Sequence, residues 1–168
     1  MIIYHPIYDI EHGRFRLLHL LSCAENRQLF WNSYRILDII YLFPQVLIHT
    51  DVTRGLTSLK RKLSNEDYRY NRIPNPKLFI EKFVGIHESI VASLLSNGIL
   101  NEGLYDSGII GLGDYQIPDS INKIICSSQD HDLVSNVCQE FSRIPVNGPG
   151  GLKARTKLLE HRYDTNAA

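Results

Sequence analysis

Apolar residues recur every three or four positions in several separate stretches of this chain, which is the spacing of one face of an α-helix. Asp9 can cap the first of these helices, because its carboxylate can accept hydrogen bonds from the free amides of the first turn. A second helix is predicted over roughly 27–43, with Pro44 as its end. The apolar faces of these two helices are Phe15, Leu18 and Leu21, and then Phe30, Tyr34, Leu37 and Tyr41.

A third helix has signals for both of its ends. Asn75 is placed as the cap and Pro76 occupies the first helical position, where proline is favoured. Gly98 is expected to end the helix, and Ile99 is placed for the hydrophobic contact of a Schellman motif. The apolar face between these ends is formed by Phe79, Phe83, Ile86, Ile90 and Leu94.

The remaining sequence adds a small amount of β-structure and more helix. Residues 99–117 are punctuated by glycine and predict a β-hairpin that turns near 106–108. Two further helices are predicted, one beginning at Pro118 and one ending before Pro145. We therefore expect one domain over 1–168, mainly α with a small β-hairpin. A winged-helix-like core would carry extra N- and C-terminal helices, the last being a glycine-hinged basic helix within 147–168.

Composition places the chain among soluble cytoplasmic proteins. It has 168 residues, 43% hydrophobic and 21% charged, with a formal net charge of zero. This composition can bury a core and argues against a protein that coats nucleic acid with its whole surface. Three cysteines without a CxxC pair fit a reducing compartment. No signal peptide is visible, and the longest apolar run, 36–48, is interrupted and shorter than the ~20 residues that span a bilayer. No membrane association is expected.

Charge is unevenly distributed along the chain. Residues 54–82 hold eight basic and three acidic side chains, whereas 101–140 hold seven acidic side chains and one lysine. In a winged helix, such a basic segment could hold DNA phosphates beside a recognition helix. The adjacent helix, however, carries Glu81 and Glu88 where base-reading side chains would be needed. The alternatives are a solvated basic loop and a nucleic-acid contact through Lys60, Arg61, Lys62, Arg69 and Arg72.

The opening residues contain a group of metal-binding side chains. His5, Asp9 and His12 have the spacing H-x3-D-x2-H, and His19 lies one heptad beyond His12. Imidazole and carboxylate bind zinc or iron, so a metallohydrolase is one hypothesis. However, Asp9 is already the predicted helix cap, and a further ligand would have to come from elsewhere. His12 and Arg16, one turn apart, could equally present a polar docking edge. We predict no metal, no cofactor and no catalytic residue.

The closing segment lacks a nucleotide-binding signature but has the pattern of a docking element. Residues 148–153 do not have the G-x4-G-K-[ST] register of a phosphate loop, and no serine lies in a G-x-S-x-G elbow. Leucines alternate with basic residues after the glycines. Such a helix can dock onto a partner or back onto its own domain, and the sequence leaves both alternatives open.

Two stretches at the ends of the chain carry a family resemblance. The opening stretch is Tyr4-His5-Pro6-x-x-Asp9-x-x-His12-x-x-Phe15-Arg16. The closing stretch is Asn147-Gly148-Pro149-Gly150-Gly151-Leu152-Lys153-x-Arg155-Thr156-x-Leu158-x-Glu160-x-Arg162-Tyr163-Asp164. Together they resemble the small middle components of bacterial ABC-three-component defence systems. The Lamassu anti-phage systems, which have an SMC-like ATPase, contain a similar small accessory subunit.

The resemblance implies a subunit without catalytic activity of its own. Members of the family are thought to bridge an ABC or SMC-like ATPase and an effector, often a nuclease, and DNA would be met through the complex. The partner-binding residues that the resemblance implies are His5, Asp9, His12, Arg16, Lys153, Arg155, Glu160, Arg162 and Tyr163.

Overall fold

The computed structural model describes residues 6–65 and 75–159. These residues are mainly helical with one two-stranded antiparallel sheet, which confirms the predicted helical class. The elements are α1 Ile10–Cys23, β1 Gln28–Phe30, α2 Trp31–Leu42, α3 Thr57–Asn65, α4 Pro76–Lys82, α5 Val84–Ser96, α6 Glu102–Asp106, β2 Ile109–Gly111, α7 Asp119–Ser127, α8 His131–Phe141 and α9 Leu152–Thr156. Short 3-10 helices cover Pro6–Tyr8, Glu25–Arg27, Pro44–His49 and Arg54–Leu56.

Helix α1 lies at the centre of the domain and packs against α2, α5 and α8. It begins as predicted, because the Asp9 carboxylate accepts a hydrogen bond of 2.7 Å from the Glu11 amide. Gly13 allows α5 to approach closely, since a Cβ at this position would lie 2.3 Å from Cδ1 of Ile90. The most buried apolar side chains of α1 are Leu17, Leu20 and Leu21.

Two of the predicted helices have different bounds in the structure. Helix α2 begins at Trp31, because the residues before it form β1. The third predicted helix is divided at Phe83, which ends α4 and opens α5. Periodicity alone does not show this break, since the buried Phe83 ring stacks on that of Phe79, one turn earlier, as it would in a continuous helix.

The Schellman end of α5 is confirmed. Gly98 has a φ of 67°, in the left-handed region that glycine adopts without strain. Its amide donates to the carbonyl of Leu95, and the amide of Ile99 donates to that of Leu94 at 3.0 Å. This pair of hydrogen bonds defines the motif. The Asn75 cap and the position of Pro76 are confirmed as well.

The predicted β-hairpin within 99–117 is wrong. Residues 102–106 form helix α6, and β2 pairs antiparallel with β1, so that Leu29 lies opposite Ile110. The two strands lie far apart in the sequence, and local alternation cannot identify a distant partner. Within 6–65 and 75–159 there is therefore no hairpin to serve as a wing, and the winged-helix-like core is not confirmed.

The described part of the C-terminal segment packs onto the domain. Helix α9 covers five residues and ends at Lys157, whose φ of 57° is left-handed. Leu152, Leu158 and Leu159 are buried in the common hydrophobic core. Of the two alternatives left open by the sequence, these contacts favour docking onto the chain's own domain. No helix in 6–65 or 75–159 combines the length and apolar character needed to cross a bilayer.

The turn before α9 gives a direct test of this packing. A Cβ on Gly151 would lie 2.3 Å from the backbone oxygen of Asn147, whereas one on Gly150 would meet nothing within 4 Å. We expect Gly151→Ala to lower the free energy of unfolding by about 1–3 kcal/mol, the usual cost of overpacking. Gly150→Ala is the matched control and should unfold at the wild-type midpoint in urea. Equal midpoints for the two variants would contradict the packed turn.

Candidate interaction surface

The two basic segments predicted from the sequence meet at one connecting stretch, Thr50 and Asp51. The Lys60 ammonium group on α3 donates to the Thr50 carbonyl at 2.8 Å. The Arg155 guanidinium group on α9 donates to the Asp51 carbonyl at 3.3 Å, and the Asp51 amide donates back to the Arg155 carbonyl at 3.1 Å. Helices α3 and α9 are thereby tied to the same loop. We call the six cations of these helices and their ends the basic surface: Lys60, Arg61, Lys62, Lys153, Arg155 and Lys157.

The residues of the basic surface differ in exposure. Lys60 and Arg155 are half-buried, and Arg155 also donates from Nε to the Gly150 carbonyl at 2.7 Å. These two side chains position the loop. Arg61, Lys62 and Lys157 are exposed to solvent. In the basic surface, two cations therefore support the loop, and three exposed cations remain that a negatively charged partner could contact.

Acidic side chains limit the extent of the basic surface. The Asp51 carboxylate lies 3.7 Å from Nη1 of Arg155 and offsets part of its charge. On α8, Glu140 accepts a hydrogen bond from the Thr53 hydroxyl group at the neighbouring turn. The positive field is thus local, which agrees with a chain whose formal net charge is zero.

His12 and Arg16, which the sequence grouped together, lie in different environments on α1. His12 is 60% exposed, and its Nδ1 lies 3.0 Å from the Asp9 carboxylate at the cap of α1. Arg16, by contrast, is only 5% exposed and points into the domain. The described polar edge therefore consists of Asp9 and His12, and its role in partner binding stays a prediction. The other candidates, His5, Glu160, Arg162, Tyr163, Arg69 and Arg72, lie outside the described residues.

Arg16 belongs to a buried ionic cluster that joins three helices. Its Nε donates to Oδ1 of Asp38 on α2 at 2.7 Å, and its Nη2 donates to Oδ2 at 3.1 Å. Nε2 of His87 on α5 lies 3.0 Å from the same Oδ2. Burial alone would raise the pKa of Asp38, but the His87 hydrogen bond and the Arg16 charge outweigh it, so the pKa lies below the usual value. Asp38 is therefore an ionised carboxylate inside the core.

Sequence reasoning missed this cluster, although one signal was present. Asp38 interrupts the longest apolar run of the chain, and a carboxylate is rarely buried without a partner. Two atoms beside the cluster, the Tyr34 hydroxyl and Nδ1 of His87, are buried and make no hydrogen bond to any described residue. Arg16 and His87 share the Asp38 carboxylate as their hydrogen-bond partner, so the loss of this carboxylate should affect all three helices.

A second polar group lies where α1 meets α8. Nδ1 of His19 is 3.0 Å from the Tyr41 hydroxyl, and its Nε2 is 3.1 Å from Nδ1 of His131. Burial, with a smaller contribution from His131, lowers the pKa of His19 to about 4. His19 is therefore a neutral imidazole at neutral pH. From α1, its ring contacts Tyr41 on α2 and His131 on α8.

The fold and the basic surface define a small helical domain that presents two polar regions, one at the start of α1 and one built on α3 and α9. Residues 2–164 match the sequence model of the family described as ABC-three component (ABC-3C) system Middle Component 5. The chain belongs to this family, and the resemblance predicted from its two ends is confirmed over nearly the whole chain. It is thus a component of a three-component defence system, and the other components are its partners. No curated protein and no solved structure matches the chain significantly.

Proposed function

We propose that this chain is a non-catalytic accessory subunit that bridges an ABC or SMC-like ATPase and an effector, a nuclease in the simplest case. The observation that carries the proposal is the match to a middle component over residues 2–164. A middle component has two other components to contact. A Lamassu-type system with an SMC-like ATPase is the assembly that we expect, and it would act in the cytoplasm against phage or plasmid DNA.

The placement of polar residues supports two separate contacts. The Asp9 and His12 edge lies at the start of α1, whereas the basic surface is built on α3 and α9. Both regions expose charged or polar side chains on a domain whose apolar residues are largely collected in one core. A subunit with two such regions can hold one partner through each.

Co-expression with the neighbouring genes tests the proposal. The full chain, expressed with the ATPase or with the effector, should co-purify with each through size-exclusion chromatography. Purified alone, it should hydrolyse neither ATP nor DNA. Replacing His12 with alanine should weaken one of the pairs and leave the other intact. Recovery of the chain as a monomer in both mixtures, or turnover of ATP or DNA by the chain alone, would contradict the proposal.

Direct DNA binding is the second candidate function, and the convergence of the two basic segments favours it. We expect the double variant Arg61→Glu/Lys62→Glu to bind all duplexes more weakly, because phosphate contacts are independent of sequence. The slope of log affinity against log salt should fall by about 0.9 for each lost phosphate contact. Lys60 is left unchanged because it positions Thr50.

The matched control reverses two exposed cations away from the basic surface, Lys123 and Arg143. It introduces the same change in net charge and should retain wild-type affinity in fluorescence anisotropy. An equal loss in both variants would show a non-specific charge effect. No binding by the wild-type chain at low salt would remove this candidate.

A further inference from the structure

Helices α1 and α8 bring together three side chains that bind transition metals. His19 and Cys23 lie one turn apart on α1, and His131 is the first residue of α8. The nitrogen and sulfur atoms of the three side chains lie within 4.8 Å of one another. Within residues 6–65 and 75–159, no other group of three or more histidine, cysteine, aspartate or glutamate side chains lies close enough to share one ion.

The Tyr41 hydroxyl orients the His19 ring for this role. It lies 3.0 Å from Nδ1, and a proton on Nδ1 that is donated to the hydroxyl leaves the Nε2 lone pair directed at His131. Histidines that bind metals almost always have such a partner on the second nitrogen. His19 is fully buried, whereas Cys23 and His131 are half-buried. The group thus combines a fixed inner ligand with two that solvent can reach.

The distances are close to those of a tetrahedral site. Two nitrogens, each about 2.0–2.1 Å from a zinc ion, would be about 3.3 Å apart. The nitrogens of His19 and His131 are 3.1 Å apart, so small rotations of the two rings bring both to an ion. A thiolate ligand would need to lie about 3.6 Å from each nitrogen. The sulfur of Cys23 lies within 4.8 Å of both nitrogens, so a movement of about 1 Å brings it to that distance.

We propose that His19, Cys23 and His131 bind a zinc ion that joins α1 to α8. Two imidazoles and one thiolate form a set that suits zinc and excludes magnesium and calcium, which prefer oxygen ligands. The site is independent of the proposed bridging role, and either could fail without the other.

The proposed ligands differ from those of the metallohydrolase hypothesis. In the structure, the Asp9 carboxylate accepts from the first turn of α1, and its second oxygen is 3.0 Å from His12. His19 was noted in the sequence only for its spacing from His12, and His131 lies on another helix. Variants of His12 and of Cys23 therefore distinguish the two sites.

Metal analysis of the full chain, prepared without a histidine tag and dialysed after loading with zinc, tests the proposal. We expect one zinc ion per chain and a rise in melting temperature when zinc is added. With cobalt(II), the spectrum should show tetrahedral bands and a thiolate charge-transfer band. Cys23→Ser should remove the charge-transfer band, and Cys23→Ser or His131→Gln should each weaken zinc binding at least about 100-fold.

His12→Gln is the control and should bind zinc like the wild type. Far-UV circular dichroism of each variant without metal shows whether it is folded, and the two variants alter half-buried rather than fully buried side chains. Substoichiometric zinc in the wild-type protein would overturn the proposal. Wild-type affinity in both Cys23→Ser and His131→Gln, or loss of zinc in His12→Gln alone, would overturn it as well.

Discussion

Replacing Asp38 with asparagine is expected to lower the free energy of unfolding by about 3–5 kcal/mol, because it leaves a buried charge without its counter-ion. The Arg16 guanidinium group is only 5% exposed and makes both of its short hydrogen bonds to this carboxylate. Asparagine keeps only one acceptor oxygen, so either Nε of Arg16 or Nε2 of His87 also loses its acceptor in this variant. Urea unfolding should show a much lower midpoint, whereas the exposed control Asp114→Asn should keep the wild-type midpoint.

A double variant separates the ion pair from the packing around it. Arg16→Met/Asp38→Leu removes both charges and keeps apolar volume at both positions, so it should be more stable than Asp38→Asn alone. A double variant less stable than Asp38→Asn would show that the two charges do not act as a pair. A midpoint for Asp38→Asn equal to that of Asp114→Asn would contradict the buried cluster itself.

Acid should destabilise the protein in part through the same carboxylate. The pKa of Asp38 in the folded protein lies below 3.8, its usual value, so its stabilising effect is complete above that pH. The effect is then lost as the pH falls below 3.8 towards the pKa of the folded state. Stability measured by urea titration between pH 7 and pH 2 should fall more steeply at the acid end for the wild type than for Asp38→Asn.

Deleting residues 152–168 is expected to remove most of the stability of the domain. The deletion takes away three buried leucines, Leu152, Leu158 and Leu159. Burial of each contributes about 1.5–3 kcal/mol, and the total is comparable with the roughly 5–15 kcal/mol that hold a typical domain folded. Thermal unfolding followed by circular dichroism should show a strongly lowered or absent transition.

A shorter deletion is the matched comparison. Removal of residues 160–168 leaves all three leucines in place and removes Glu160, Arg162 and Tyr163, which the family resemblance connects with partner binding. This protein should unfold near the wild-type temperature and bind one partner less tightly. If deletion of 152–168 left the melting temperature unchanged, the packing of α9 onto the core would be contradicted.

The features that the sequence predicted correctly are local ones. The caps at Asp9 and Asn75 and the Schellman end at Gly98 depend on hydrogen bonds within a few residues, so residue type and spacing are sufficient to find them. The strand partner of β2 could not be found in this way, because β1 lies between α1 and α2. The bend at Phe83 escaped detection since the apolar periodicity continues through it.

In the candidate surfaces, too, contacts between distant elements could not be predicted from the sequence. Charge counts identified the basic segments around Lys60 and Arg155, but their meeting at Thr50 and Asp51 depends on the tertiary fold. Arg16 was grouped with His12 because the two lie one turn apart, and only the position of Asp38 explains why Arg16 is buried. Spacing along one helix cannot show what a side chain meets on another.

The bridging role is tested most directly by leaving this chain out of the assembly. The ATPase and the effector should be co-expressed with and without it, purified through a tag on the ATPase, and examined by size-exclusion chromatography with light scattering. We expect the effector to elute with the ATPase only when this chain is present, in one complex that contains all three. An ATPase–effector complex that forms equally well without this chain would contradict the bridging role.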